Sequence, residues 1–364
     1  MRRFLGDIMV KNIFFSIIVP IFRTDINKLK KCLDSLVSQT YKDIEILLIF
    51  DGPNAEQFEY CSSNYSESNI NLIEMPKSGV SKARNLGINM ARGEYVMFCD
   101  SDDWFENEIC EKAYDAIISG GYDMLFWDYI CDLEKCIKIN RLYPSSREFV
   151  GESKKKCYFG NICRVLDTNL NKNLMFGTGG IWNKAYKREL LIQGEIQFPE
   201  NCTISEDIIF NLYTVRHSVK IGYIQEIGYH YRIANNSTSF RFDSNVFDKN
   251  NIYFDCLEKF IDEIEEIELK KDFEKIKYNV IVNSFVRCVE QLRLASMSDT
   301  KLRHKCNALC KEKYHSNFYK TAIINSNFSY ATFPQKICLF LLKLRQYNMF
   351  LLIVDLKNKQ RNRE

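Results

Sequence analysis

The sequence Tyr95-Val96-Met97-Phe98-Cys99-Asp100-Ser101-Asp102-Asp103-Trp104 changes character half-way along. Its first five residues are apolar or aromatic without polar alternation, which predicts a buried strand. Three carboxylates then follow within four residues, and because a charged carboxylate is costly to bury, the strand must end there. In an open α/β sheet, the carboxyl ends of the strands form the edge where ligands bind.

The three acids at this strand end have two interpretations. Clustered carboxylates repel one another, and a hard divalent cation such as Mg²⁺ or Mn²⁺ relieves that repulsion while also binding phosphate oxygens. The acids Asp100, Asp102 and Asp103 would then form a metal–diphosphate site. Alternatively, the segment is a solvated acidic turn in which Ser101 or Asp103 caps the next helix. The local sequence leaves both interpretations open.

The composition is that of a globular protein with a sizeable core. The chain has 364 residues, of which 46% are hydrophobic and 27% charged, enough for a large domain and a smaller second unit. Its net charge of +3 gives no reason to expect a nucleic acid as partner. Several of the 14 cysteines lie in apolar patterns and no CxxC pair occurs, which predicts reduced thiols in a cytoplasmic protein. Residues 1–12 are predicted to be an N-terminal extension and not a signal peptide.

Strands and helices alternate over the first 130 residues. Because parallel strands joined by a helix end at the same edge of a sheet, Asp51, which directly follows the second strand, should lie near Asp100. The alternation predicts a doubly wound α/β sheet. The predicted strands are 14–20, 44–50, 71–75, 95–99 and 124–127, and the predicted helices are 29–37, 82–91 and 108–119.

The second half of the chain is more varied. We expect an irregular region over 128–175, a glycine-rich loop over 177–184 that runs into a helix, and a helix that opens at Glu206 and Asp207. A strand over 221–233 precedes helices from about 246 to 310. Two apolar blocks and several basic residues within 329–364 suit either an interfacial helix on an anionic membrane or a helix packed on its own domain or on a partner. Neither block is long enough to span a bilayer.

Six sequence elements, in order, resemble the inverting nucleotide-sugar glycosyltransferases of family 2, which have the GT-A fold. The resemblance covers about residues 13–240, and an ordered series is far more specific than any single motif. The elements are Ile17-Ile18-Val19-Pro20, Asp51-Gly52, Gly79-Val80-Ser81-Lys82-Ala83-Arg84-Asn85-Leu86-Gly87, Asp100-Ser101-Asp102-Asp103-Trp104, Glu206-Asp207 and Tyr229-His230-Tyr231-Arg232.

The resemblance implies a domain organisation and a set of site residues. A GT-A domain would occupy 13–240, a helical C-terminal region 241–328 and an amphipathic basic tail 329–364. Asp207 would be the catalytic base with Glu206 beside it, and Asp102, Asp100 and His230 would hold the metal. Gly179, Gly180 and Trp182 would face the acceptor. The residues implied to bind the nucleotide or donor are Pro20, Phe22, Asp51, Gly79, Arg84, Asp100, Ser101 and Asp103.

Each implied role has a structural alternative. Asp51 could be a turn acid before glycine, and the pair Glu206-Asp207 could serve only the dipole at a helix N-terminus. A single histidine such as His230 is commonly structural, and Trp182 could pack in the core instead of stacking on a sugar. The sequence departs from the family pattern at Arg23 and at 53–55, which leaves the nucleotide base open.

The resemblance implies a divalent-metal-dependent enzyme that transfers a sugar with inversion from a nucleoside-diphosphate donor, UDP being expected. The acceptor would be a hydroxyl of a saccharide or lipid-linked saccharide in surface polysaccharide synthesis. The enzyme would work in the cytoplasm or on the cytoplasmic face of the membrane.

Two other functions are alternatives to this one. A sugar nucleotidyltransferase would need a glycine-rich loop after the first strand, where the sequence is Phe22-Arg23-Thr24-Asp25. A non-catalytic sugar-binding relative would not be expected to keep both Asp102 and Asp207.

Overall fold

The computed structural model describes residues 13–67, 69–133, 136–162, 179–233, 242–331 and 333–361. The predicted extension 1–12 and parts of three other predicted segments, 163–178, 234–241 and 362–364, lie outside the described residues. The strands are β1 (Phe15–Ile21), β2 (Ile44–Asp51), β3 (Ile70–Met75), β4 (Tyr95–Phe98), β5 (Trp104–Phe105), β6 (Met124–Leu133), β7 (Cys136–Asn140), β8 (Arg147–Val150), β9 (Lys184–Lys187) and β10 (Lys220–Ile233).

Helices flank the sheet and make up the rest of the described C-terminal part. They are α1 (Ile26–Val37), α2 (Ala55–Asn64), α3 (Val80–Met90), α4 (Ile109–Gly120), α5 (Lys155–Ile162), α6 (Arg188–Gln193), α7 (Glu206–His217), α8 (Val246–Asp262), α9 (Ile267–Ala295), α10 (Thr300–His315), α11 (Asn317–Asn325), α12 (Phe333–Lys343) and α13 (Tyr347–Arg361).

The strands form one sheet in the order β3-β2-β1-β4-β9-β6-β10-β5, with β7 beside β6 and β8 beside β10. The half made of β3, β2, β1 and β4 is entirely parallel. In the other half β6 and β10 are parallel, whereas β9 runs antiparallel to both β4 and β6. The parallel half brings four carboxyl strand ends to one edge, as the sequence predicts.

Apolar side chains cover both faces of the sheet. Leu33 of α1 and Ala113 of α4 pack in the core on one face, while Ala83 of α3 and Phe210 of α7 pack on the other. Helix α3 lies very close to β1, since a Cβ on Gly87 would be 2.5 Å from Ile18 Cγ2. This close packing fixes α3, and with it the side chains at the end of the sheet.

Two predictions about the middle of the chain are wrong. The region after Asp128 is not irregular throughout, because β6 continues to Leu133 and the antiparallel strands β7 and β8 follow. The glycine-rich loop leads into the strand β9 at Lys184, and a helix begins only at Arg188. Strands β8 and β9 are short and pair with strands that are distant in sequence, whereas β7 forms a hairpin with the end of β6.

The helical region is joined to the sheet through a shared core. Phe260 of α8 and Phe273 of α9 lie in the same apolar cluster as Phe210, and the Tyr213 hydroxyl of α7 donates a hydrogen bond to Glu263 at 3.0 Å. Helices α12 and α13 belong to this region, since Arg293 of α9 pairs with Asp355 of α13. None of the helices within the described ranges has the length and apolar character that crossing a bilayer requires.

Candidate active site

The parallel half of the sheet places the predicted donor-binding residues along one edge. Phe22 follows β1, Asp51 ends β2 and Asp100 lies just beyond β4. Asp25 caps the N-terminus of α1 by accepting hydrogen bonds from the amides of Asn27 and Lys28. The residues predicted from local sequence patterns therefore meet where the strand topology requires.

Arg84 is the centre of the candidate site. It lies on α3, is only 4% exposed, and its guanidinium contacts three carboxylates. Nη2 donates to Asp100 Oδ1 at 3.1 Å, and Nη1 donates to Glu206 Oε1 and Asp207 Oδ1, each at 3.0 Å. One cation thus joins the acid at the end of β4 to the two acids that begin α7. We call Arg84, Asp100, Glu206 and Asp207 the Arg84 cluster.

These contacts give Arg84 a role that the sequence does not reveal. It was predicted to reach the nucleotide, but each of its ion-pair partners in the structure is a carboxylate of the site. Its buried Nε–H has no hydrogen-bond partner among the described residues. Contact between Arg84 and a nucleotide therefore stays a prediction. In the structure, Arg84 holds the three acids together.

The charges of the cluster alter one another's protonation. Burial raises the pKa of Asp207 to about 8, with Arg84 acting in the opposite direction and Glu206 reinforcing the rise. Burial by itself would lower the pKa of Arg84, but Asp207, Asp100 and Glu206 raise it, so the guanidinium stays charged. A carboxyl group whose pKa lies near neutrality is suited to take up a proton at physiological pH.

Asp51 is already occupied by backbone groups. Its Oδ1 accepts the amide of Ser78 at 2.6 Å and its Oδ2 accepts the amide of Gly79 at 3.0 Å. The amides just before α3 therefore donate to the side chain of Asp51, although the resemblance implies that Gly79 also contacts the nucleotide or donor. Each carboxylate oxygen has a second lone pair, so contact with a base or ribose stays a prediction.

Asp103 is also held within the protein. It is buried, and its two oxygens accept hydrogen bonds from the Tyr229 hydroxyl at 2.8 Å and the Arg232 amide at 2.7 Å. Burial, with the nearby charges of Asp100 and Asp102, raises the pKa of Asp103 above its usual range. These bonds tie the acidic loop to β10, which makes Asp103 a support of the loop.

The other residues of the acidic loop face different surroundings. Ser101 is buried and its hydroxyl is 2.6 Å from the Thr24 hydroxyl, which links the loop to the end of β1. Asp102 is exposed to solvent. Together with Asp100 it presents carboxylate oxygens at the edge of the sheet.

This donor set fits a small divalent cation that is shared with a ligand. Within the described ranges, no group of three or more His, Cys, Asp or Glu side chains is placed to hold a metal ion. Mg²⁺ is commonly bound by one or two carboxylates together with substrate phosphates, which is what Asp100 and Asp102 can offer.

His230 is not brought to these acids. Its Nε2 lies 2.6 Å from Glu106 Oε1, and its ring stacks on Trp104 at 4.6 Å between centroids. The strand pairing of β10 with β5 sets this position directly opposite Trp104. The contacts seen for His230 are structural, and the prediction that it ligates a metal gains no support from them.

Trp182, which was predicted to face the acceptor, is part of a packed group of aromatic rings. The Trp182 ring stacks on Tyr229 at 4.5 Å and on Tyr231 at 5.5 Å, and Tyr129 meets it edge-on. Packing of this kind favours the core interpretation of Trp182 over a sugar platform. Gly177 lies outside the described residues.

Buried polar residues fix the turn at Gly179 and Gly180. Asn211 of α7 donates to the Gly179 carbonyl at 2.8 Å, and the ammonium of Lys184 donates to the Gly180 carbonyl and to Asn183 Oδ1. Burial lowers the pKa of Lys184 to about 7, against the effect of Asp207. Sequence reasoning gave no role to Lys184 or Asn211, because nothing local distinguishes them from surface residues.

The first strand ends beside an exposed aromatic ring. Phe22 is 41% exposed, and the ammonium of Lys77 lies 4.7 Å from its ring centroid. Pro20 is half-buried within β1. Phe22 is therefore exposed at the same edge of the sheet as Asp51 and Asp100, and its packing against a nucleotide base stays a prediction.

Part of this chain matches a known protein family. Residues 16–187 match the family model Glycosyl transferase family 2. The domain that these residues form belongs to glycosyl transferase family 2. Because the match includes the strands β1 to β4 and the acidic loop, the family predicted from the six sequence elements is confirmed.

Curated relatives agree with this assignment. Glycosyltransferase GlyA of Streptococcus pneumoniae is 32% identical over 229 residues, which are 62% of this chain and 31% of GlyA. The putative glycosyltransferase EpsH of Bacillus subtilis is 26% identical over 259 residues, 70% of each chain. This chain thus spans about a third of the length of one relative and most of the other.

A solved structure confirms the GT-A fold of this chain. The structure of S. aureus TarS 1–349 in complex with UDP-GlcNAc aligns with a TM-score of 0.61 and 16% identity, over 96% of this chain and 92% of that one. The likeness extends beyond the family 2 domain, so TarS shares the helical C-terminal region as well.

Proposed function

We propose that the protein is an inverting, divalent-metal-dependent glycosyltransferase. It would move a sugar from a nucleoside-diphosphate donor to a hydroxyl of a saccharide or lipid-linked saccharide in surface polysaccharide synthesis. The Arg84 cluster carries the proposal, because one guanidinium holds the metal-side acid Asp100 and the candidate base Asp207 in a single site.

Asp207 would act as the general base. Its carboxylate would accept the proton of the acceptor hydroxyl as that oxygen attacks the anomeric carbon. The new carbon–oxygen bond forms while the bond to the diphosphate breaks, and the electron pair leaves with the diphosphate oxygen. A single displacement of this kind inverts the anomeric configuration. Glu206 and Arg84 would orient the carboxylate of Asp207 through the observed contacts.

Asp100 and Asp102 would hold the divalent cation. When bound, Mg²⁺ or Mn²⁺ supplies positive charge that stabilises the leaving diphosphate. Asp103 would keep these two acids in place through Tyr229 and β10.

The donor would lie along the parallel strand ends. Phe22 would pack against the base, and Asp51 and the loop at Gly79 would lie beside the ribose. The complex of TarS with UDP-GlcNAc supports a uridine nucleotide here. We propose peripheral contact with the cytoplasmic face of the membrane for an enzyme whose acceptor is lipid-linked. The family match favours this function over the nucleotidyltransferase alternative.

A screen of nucleotide sugars tests the proposal. The purified full-length chain is incubated with a panel of UDP-, GDP- and dTDP-sugars in Mg²⁺ or Mn²⁺, and release of the nucleoside diphosphate is measured. We expect release from at least one UDP-sugar and its loss on addition of EDTA. Folded protein that releases no diphosphate from any donor would contradict the assignment, and release that is insensitive to EDTA would contradict the metal requirement.

A further inference from the structure

Helix α12 presents an apolar row to solvent. Phe333, Ile337, Phe340 and Leu344 recur with the spacing of one helical face, and each is between 38% and 77% exposed. The opposite face of α12 is buried in the core of the helical region through Cys338, Leu339 and Leu342. The exposed row therefore takes no part in packing α12 onto the helical region.

Helix α13 repeats this arrangement. Met349, Leu352 and Leu356 lie on one face and are between 51% and 58% exposed, whereas Phe350 and Val354 are buried. The two helices pack on each other and are joined only by residues 344–346. We call the two exposed rows together the hairpin face.

Ion pairs fix the hairpin to the protein. Asp355 of α13 is paired with Arg293 of α9 and with Arg303 of α10. Lys357 is paired with Glu290 of α9. Together with the buried faces of both helices, these ion pairs show that α12 and α13 pack on the helical region of their own chain, which is one of the possibilities that the sequence left open. The packed hairpin still has a second apolar surface that is exposed.

The charged side chains on and next to α12 are all basic, and Asp355 of α13 is occupied by its two arginine partners. Residues 313–354 contain no Asp or Glu, while Lys336, Lys343 and Arg345 lie within or next to α12. The ammonium of Lys343 donates to the Ile324 carbonyl at 2.8 Å, which brings the exposed residues Ile324 and Phe328 beside α12. So many exposed apolar side chains beside lysine and arginine are uncommon on a protein surface that meets only water.

We propose that the hairpin face docks on the surface of an anionic membrane. Exposed apolar side chains bordered by lysine and arginine suit the boundary between anionic headgroups and acyl chains. A second copy of this chain is a poorer partner, because it would bring the same cations against one another. The contact is interfacial, because α12 and α13 keep their other faces buried in the protein.

This inference rests on the proposed function for its purpose, which is to keep the enzyme beside a lipid-linked acceptor. The docking surface itself follows from the exposed rows and the charges. Binding to vesicles and turnover of a nucleotide sugar in solution are separate measurements, so each can fail without the other.

Vesicle sedimentation tests the proposal. The full chain is mixed with vesicles of phosphatidylcholine alone or with phosphatidylglycerol added, and the bound fraction is measured. We expect binding to the anionic vesicles only, and at least a tenfold loss of binding in the double variant Phe340→Ser and Leu344→Ser. Val219→Ser, which removes a still more exposed apolar side chain far from α12 in the sequence, should bind like the wild type.

The outcomes separate the candidate partners. No binding to anionic vesicles, or equal binding by the double variant, would overturn the proposal. So would a concentration-dependent dimer in analytical ultracentrifugation that the double variant loses, because the face would then be an interface between copies. Donor turnover by the double variant in solution should match the wild type. If turnover is absent in both while vesicle binding persists, only the proposed function fails.

Discussion

The acids at the edge of the sheet fall into two groups that differ in what holds them. Asp51 and Asp103 are held by backbone amides and a tyrosine hydroxyl. Asp100, Glu206 and Asp207 share the single guanidinium of Arg84. Acids bonded to backbone amides have fixed partners and support the loops. Acids held by one side-chain cation can exchange it for a ligand, and these, together with the exposed Asp102, are the acids to which we assign chemistry.

The largest effect should come from Asp207→Asn. The amide cannot take the proton of the acceptor hydroxyl, so we expect the transfer rate to fall about 100-fold or more. Isothermal titration with the donor and Mn²⁺ should show that metal-dependent donor binding persists. Transfer near the wild-type rate would remove Asp207 from the mechanism.

The pH profile gives a control for this variant. Because burial raises the pKa of Asp207 to about 8, its carboxyl group is protonated below that pH and is the active carboxylate above it. The wild-type transfer rate should therefore rise as pH increases toward that value. The residual rate of Asp207→Asn should lack this rise, and an unchanged profile would mean that another group titrates.

The next largest effect is expected from Arg84→Met. Removal of the guanidinium leaves three neighbouring carboxylates without their cation, and loss of one partner from a buried ion pair costs on the order of 3 kcal/mol of unfolding free energy. Urea denaturation would measure it. Lys82→Met on the same helix breaks an exposed pair with Glu200, so it should cost less than about 1 kcal/mol. Equal costs would show that Arg84 does not organise the site.

Variants of Asp102 and Asp103 should change different properties, donor binding for Asp102 and stability for Asp103. Asp103→Asn puts an amide where two donors point, which should lower the unfolding free energy by about 1–3 kcal/mol. Asp102→Asn changes an exposed side chain, so stability should change by no more than about 0.5 kcal/mol, while metal-dependent donor binding falls. The reverse pattern in denaturation and titration would exchange their roles.

The smallest effect is expected from His230→Gln. The glutamine amide can still donate to Glu106, and no acid of the Arg84 cluster loses a partner. The Mn²⁺ concentration for half-maximal turnover should therefore stay unchanged. A rise of about tenfold or more would show that His230 supports the metal after all.

The sequence predicted those parts of the site that depend on local pattern. Uninterrupted apolar runs located the strands that end at Asp51 and Asp100, and strand order then brought them together. The helix beginning at Glu206 was also correct. These features need only a dozen neighbouring residues to be recognised.

The remaining features depend on distant parts of the chain. Arg84 meets acids 16, 122 and 123 positions away, and His230 finds Glu106 because β10 pairs with β5. The short strand β9 has too few residues for a periodic signal and is defined by its neighbours β4 and β6. No local pattern carries such information, so the contacts of Lys184 and Arg84 became visible only in the fold.

The stereochemistry of turnover tests the central claim most directly. Donor consumption by the full chain with Mn²⁺ is followed by proton NMR from the first minutes, before the released sugar equilibrates. A single displacement assisted by Asp207 predicts that the first-formed product has the anomeric configuration opposite to that of the donor. A product that first appears with the donor's own configuration would contradict the account.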